Sequence, residues 1–306
     1  MDGPDLYSAL AKAQGATLEL FHALSDTILV DALEAKRISL KDFESERLAA
    51  TLKRLETLAK GIRKHDIEVT CAAQWDYPPA EAIVRRAMRI KADLIVAERH
   101  VAGWMLAYTD WELLRHAPCA VLLVKVAKPY HRPVILTAID PFHTHEKPAR
   151  LDAALLAASG SVAESLKGKL HVVHCVPPST VVATGWASGP VVVDAGRGTK
   201  ALSRAKQALA AEVARHPLPS HKLAVLEGAA REAIPQSARQ LKASLVVMGA
   251  VSRSGLKRLL IGNTAEAILD ALTCDVLVIK PGRFQSKVAR RSRGAQLMSL
   301  SNAMTG

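Results

Sequence analysis

The sequence predicts an α/β protein with doubly wound parallel sheets in two tandem copies, on three observations. Short runs rich in Val, Ile and Leu recur at 94–97, 120–125, 134–139, 244–248 and 275–280. Their unbroken apolar character is that of strands buried on both faces. Helical stretches lie between them, at 42–65, 79–91, 149–167, 199–215 and 229–242, and in the last of these apolar and small residues return at three- and four-residue spacing. Strand and helix in alternation imply parallel strands joined by crossover helices. The third observation is that the pattern occurs twice.

The repeat is read by sliding the chain on itself. Glu81-Ala82-Ile83 meets Glu232-Ala233-Ile234, and Leu94-Ile95-Val96 meets Leu245-Val246-Val247, at an offset of 151. The segment 108–125 meets 263–280 at an offset of 155, pairing Cys119 with Cys274 and Lys125 with Lys280. Upstream, LELFHAL (18–24) meets LHVVHCV (170–176) at an offset of 152. Three blocks in one order mark a tandem duplication. The segment 126–133 separates the halves, giving a first domain at 1–130, a second at 131–284, and a remainder at 285–306.

The first strand of half two, 134–139, has no counterpart in half one, because subtracting the offset leads to a position before Met1. Half one therefore begins in its first helix, near residues 3–14, and lacks the strand that is usually central in such a sheet. A start upstream of Met1 is expected on that ground.

Composition narrows the function classes. The 306 residues include 41 Lys+Arg against 29 Asp+Glu, a formal charge of +12, and are 49% hydrophobic. No apolar run approaches the roughly 18 residues that span a bilayer, and no secretory signal opens the chain. Cys71, Cys119, Cys175 and Cys274 are scattered with no CxxC pair, which suits reduced, mostly buried thiols better than disulfides or zinc. The positive charge invites an acidic partner, yet 12 aromatics and no nucleic-acid motif give that reading little support.

One loop carries chemistry. After the strand ending at Gly249 comes Ala250-Val251-Ser252-Arg253-Ser254-Gly255-Leu256-Lys257-Arg258, and a helix opens near Asn263 with Glu266 three residues on, the spacing of a capping box. Glycines at both ends, Gly249 and Gly262, allow a phosphate close to the backbone, and the helix amides favour an anion. Read plainly, it is also a long turn joining strand to helix.

At these residues the sequence resembles the universal stress protein family, in particular its two-domain E-type members, over both repeats and the ending GNTAEAILDALTCDVLVIKPGRF. The resemblance implies two tandem Rossmann-like α/β/α domains with five-stranded sheets, packed as a pseudo-dimer or paired as a homodimer. It also implies a cytoplasmic stress-response role, including resistance to DNA-damaging agents. The nucleotide-binding branch of that family uses Gly-x2-Gly-x9-Gly-(Ser/Thr) and an acid after the first strand. Gly249, Gly262 and Asp140 match that pattern, whereas Ser252 replaces the second glycine, Asn263 stands at the Ser/Thr position, and Pro141-Phe142-His143 replaces small hydroxyl residues. The resemblance thus implies a site for ATP, with Mg, formed by Asp140, Gly249, Ser252, Gly262, Asn263 and Thr264. In half one the equivalents are Glu98 and Ala107 in a loop four residues shorter, which reads as non-binding.

Other features read blandly. His143 and His145 could hold a metal but lack partners, and His171 and His174 face opposite ways on a strand. No nucleophile has an assignable base, so no catalytic residue is assigned. The stretch 177–198, with Trp186, reads as a flap over an apolar ligand or as packing. Residues 285–306 read as a basic disordered tail. The leading function is a stress-response binding module. The alternatives are a slow Mg-dependent nucleotide hydrolase and a nucleic-acid-associated protein acting through the tail.

Overall fold

The computed structural model describes residues 6–98, 108–126, 130–142, 150–176, 195–249, 262–282 and 284–299. The first repeat runs α1 (Leu6–Gln14), β1 (Leu18–Leu24), β2 (Thr27–Leu29), α2 (Val30–Ala35), α3 (Leu40–Arg63), β3 (Val69–Trp75), α4 (Pro79–Ile90), β4 (Leu94–Glu98), α5 (Tyr108–His116) and β5 (Ala120–Val124). The second runs β6 (Val134–Ala138), α6 (Leu151–Ser165), β7 (Lys169–Val176), α7 (Ala195–Val213), β8 (His221–Glu227), α8 (Ala230–Gln240), β9 (Leu245–Gly249), α9 (Asn263–Ala271) and β10 (Asp275–Ile279), and β11 (Gln296–Met298) comes after it. The duplication read from sequence is visible here element by element. β4 and β9 are 151 apart, and α5 with β5 stand 155 before α9 with β10.

Half two forms the expected five-stranded parallel sheet, in the order β10-β9-β6-β7-β8. Its central strand β6 bonds β7 along one edge and β9 along the other. Val246, Val247, Ile135, Leu136, Val276 and Val278 are fully buried. Each such side chain contributes about 1.5–3 kcal/mol by leaving water.

Among the described residues half one lacks its first strand, the counterpart of β6, as the sequence predicts, but its remaining strands do not share one sheet. β1 and β3 form a two-stranded parallel sheet of their own. β4 and β5 instead extend the sheet of half two, giving seven strands in the order β4-β5-β10-β9-β6-β7-β8. The compact units follow this division and not the repeat boundary. The first takes the chain up to Ile95, then Ala107–Cys119 and the chain from Gln285 on, and the second takes Val96–Leu106 and Ala120–Phe284.

β5 and β10 are equivalent strands, and they pair antiparallel with Leu122 opposite Leu277, its own counterpart at the 155 offset. Val121 faces Val278 and Leu123 faces Val276, so the ladder is two-fold symmetric about Leu122–Leu277. One end carries an unsymmetric clasp. Asp275, 1% exposed, accepts from the amides of Lys125 at 2.6 Å and Val126 at 2.9 Å, and from the Tyr130 hydroxyl at 2.6 Å. Lys125 Nζ donates to Leu269 O and Leu272 O at the end of α9, where a cation suits the helix dipole. Burial pushes the Asp275 carboxyl up, and the bonds from Tyr130, Lys125 and Val126 oppose that rise.

The tail expectation is corrected over 284–299. β11 pairs in parallel with β2, and Arg293 N donates to Asp76 Oδ1 at 2.9 Å. A run of basic residues suggests disorder when composition is read alone, but here the chain interleaves Ala295, Leu297 and Met298 and finds an acidic partner. Among the described residues no helix is long and apolar enough to cross a membrane. The four thiols are half-buried rather than fully buried.

Burial, followed by the charge of Asp275, pushes the Tyr130 phenol well above its ordinary value of 10.0. A raised pKa stabilises the fold fully below the unfolded value, and that stability is lost as pH rises towards the folded one. Tyr130→Phe should therefore cost about 1–3 kcal/mol near neutrality. In urea titrations across pH 8–11, the gap between parent and variant should narrow above pH ~10. A constant gap would mean that Tyr130 is not held protonated by this clasp.

Candidate functional site

The strands of half two are parallel, so their carboxyl ends lie together at one edge of the sheet. That edge is where loops of an open α/β sheet meet ligands. Asp140 comes just after β6 there, Gly249 ends the neighbouring β9, and α9 begins from the same edge because it returns the chain to the parallel strand β10. Topology thus brings Asp140, Gly249, Gly262, Asn263 and Thr264 to one end of the sheet. Ser252 lies outside the described residues, as do His143, His145 and Trp186.

Gly262 is the N-cap of α9, with φ −65° and ψ 146°, and makes no side-chain cap bond. The expected capping box is therefore corrected: Asn263 is the first helical residue, and the cap is a glycine without a side-chain acceptor. Glu266 N donates to Gly262 O at 3.0 Å. The first amides of any α-helix have no intrahelical acceptor, so Asn263 and Thr264 direct theirs towards the carboxyl edge. Both residues are exposed.

Gly249 has a packing reason for being glycine. A Cβ there would lie 2.8 Å from Leu151 Cδ2, and Leu151 is the buried first residue of α6. The glycine lets α6 sit tightly on β9, independent of any ligand.

Asp140 opens a cluster that the sequence did not announce. Its Oδ1 accepts from Phe142 N at 3.4 Å and lies 3.6 Å from His174 Nδ1. His174, buried near the end of β7, has Nδ1 3.1 Å from Ile139 O. A carbonyl only accepts, so this contact requires the proton on Nδ1. The Phe142 ring packs on the His174 ring at 5.3 Å, and the Arg204 guanidinium of α7 lies 5.7 Å from the Phe142 ring centroid. A carboxylate, an exposed aromatic face and an arginine therefore stand side by side at this edge. Sequence reading noted Phe142 only as a departure and His174 only as structural, and nothing local pointed to Arg204. Nearby, burial and then Asp140 push the Cys175 thiol up to about 11, so it is not a thiolate at neutral pH. No group of three or more His, Cys, Asp or Glu that could hold a metal occurs among the described residues.

In half one, Glu98 ends β4 and α5 starts at Tyr108, with Ala107 outside the described residues. An exposed carboxylate thus takes the place of Gly249.

The model of the universal stress protein family matches residues 7–125 and again 132–280. The chain belongs to the universal stress protein family. Both repeats carry the match, in agreement with the duplication seen in the elements. Universal stress protein E of Escherichia coli K12 is 31% identical over 228 residues, covering 70% of this chain and 69% of that protein. A universal stress protein E homolog of Haemophilus influenzae is 29% identical, covering 71% and 72%. Among solved structures, a Pseudomonas aeruginosa PAO1 protein of unknown function superposes with a TM-score of 0.67 at 26% identity, covering 90% of this chain and 86% of its own. A universal stress protein from Archaeoglobus fulgidus gives 0.61 at 16% identity, covering 90% and 92%, which speaks for the fold alone.

Overpacking at Gly249 is directly testable. Gly249→Ala should lower stability by about 1–3 kcal/mol, measured by urea unfolding. Combined with Leu151→Ala, it should cost clearly less than the sum of the two single changes. Strict additivity would show that Leu151 does not set the need for glycine.

Proposed function

We propose that this universal stress protein is a cytoplasmic stress-response binding module whose second repeat takes a nucleotide, ATP with Mg, at the carboxyl ends of β6 and β9. The first repeat serves as a structural partner without a nucleotide of its own. The observation that carries this reading is the amino end of α9. A glycine cap offers its first amides no side-chain acceptor of its own, and a carboxylate stands beside it after the adjoining strand. A phosphate satisfies those amides and the positive end of the helix dipole together.

The residues present fit such a ligand by their chemistry. The amides of Asn263 and Thr264, with the Thr264 hydroxyl, suit phosphate oxygens. Asp140 suits a ribose hydroxyl or the hydration shell of a magnesium ion. Ser252, in place of the usual glycine, brings a hydroxyl that can donate to phosphate. Phe142 offers a flat apolar face to a base, and Arg204 adds a cation at the same edge. Glu98 in half one repels the anion that Gly249 tolerates.

Calorimetry with Mg-ATP on the full chain tests this, beside Gly262→Val and Arg204→Ala. Valine adopts the φ and ψ of Gly262 without strain, so its effect reads as obstruction of the amides and not as misfolding. Micromolar binding is expected in the parent, weakened at least about tenfold by Gly262→Val, a loss of about 1.4 kcal/mol. An absence of heat at millimolar ATP would overturn the nucleotide reading.

A further inference from the structure

The carboxyl end of β3 carries a buried charge pair with an unusual occupant. Asp76 and Arg85 are 1% and 3% exposed, and Arg85 grips both carboxylate oxygens at 2.7 and 2.8 Å. Glu81 also bonds Arg85, at 3.0 Å. These two acids and one arginine leave a net negative charge in the first unit, at the junction of β3 and α4. The C-terminal segment answers it. Arg293 donates its backbone amide to Asp76 Oδ1 at 2.9 Å, and its guanidinium lies 3.1 Å from Glu81 and 5.7 Å from the Tyr77 ring centroid.

The residues after Arg293 are shaped to the same surface. Gly294 holds φ +74°, a conformation that costs other residues. It turns the chain so that Ala295 packs on the cluster of Leu24, Ile28, Leu33 and Trp75. From there β11 adds to β2 in parallel through three residue pairs, from Gln296↔Thr27 to Met298↔Leu29. The outer side of the segment is open: Leu297 and Met298 are 49% and 46% exposed. Anchorage thus combines one amide on a buried carboxylate, one exposed arginine, a small residue and a short ladder with two side-chain bonds, from Gln74 Nε2 to Ser292 Oγ at 2.9 Å and from Ser299 Oγ to Asp31 Oδ1 at 2.8 Å. That is the set of contacts by which sheets capture extended peptides.

We propose that this surface of the first unit is a peptide-docking groove, held in cis by the chain's own C-terminal segment. Displacing the segment opens it to an extended partner segment with an arginine, a glycine turn and an apolar strand. Recognition is by charge at Asp76 and Glu81, by the lack of a side chain at the turn, and by backbone bonding to β2. The tethered segment competes at a high effective concentration, so a partner enters only when the arginine contact is weakened.

The test uses the full chain and a fluorescent peptide of residues 287–299. Arg293→Glu places a third acid against Asp76 and Glu81, and at 48% side-chain exposure it leaves the core untouched. The variant should keep its circular dichroism and become sensitive to trypsin after Arg290 and Arg291. It should bind the peptide at least about tenfold more tightly than the parent chain does, and more weakly as salt rises. A peptide carrying the same Arg-to-Glu change should not bind either chain. A variant that stays protected from trypsin would overturn the proposal, because the arginine would then not hold the segment. Equal binding to both chains, or none by a variant whose tail has been released, would overturn it as well.

Discussion

The strand β6 is the constraint on which the rest of the architecture depends. It bonds β7 on one edge and β9 on the other, so it alone makes one sheet out of the two strand pairs of half two. It also delivers Asp140 to the carboxyl edge beside Gly249. Without a strand in that position, the acid and the glycine-capped helix would have no common frame.

In half one no described strand fills the equivalent place, and the half is divided between two sheets. β1 and β3 keep each other, while β4 and β5 join the sheet of half two through the β5–β10 ladder. That ladder is symmetric at Leu122–Leu277 and unsymmetric at its end. Ala120 stands at the position equivalent to Asp275, so one repeat carries the buried acceptor for the segment leaving β5 and the other does not. Lys280, the counterpart of Lys125, lies 4.6 Å from the Phe284 ring centroid. Duplicated sequences have thus diverged: Gly249 ends β9 where Glu98 ends β4, and the β3–α4 junction of half one meets the chain's own C-terminal segment.

The regular elements were legible because they rest on local signals. Unbroken Val and Leu runs announced β4, β5, β6, β9 and β10, and the repeat offsets gave the equivalences. What escaped depends on distant partners. The basic segment after Pro281 reads as disordered until Asp76 and Glu81, more than 200 residues earlier, supply its counter-charge. Gly249 reads as a phosphate glycine, and only the Leu151 contact shows its packing role. The Asp140–His174–Phe142–Arg204 cluster joins three elements, and no spacing encodes it. The division of half one between two sheets was invisible for the same reason: β5 chooses β10 by tertiary pairing.

Amide hydrogen exchange with and without Mg-ATP tests the division of labour between the repeats most directly. Slowed exchange should appear at 139–142 and in the first turn of α9, with 76–82 and 290–299 unchanged. Slowing at the β3–α4 junction of half one instead would contradict the assignment of the ligand edge to half two, as would no change at either place under saturating nucleotide.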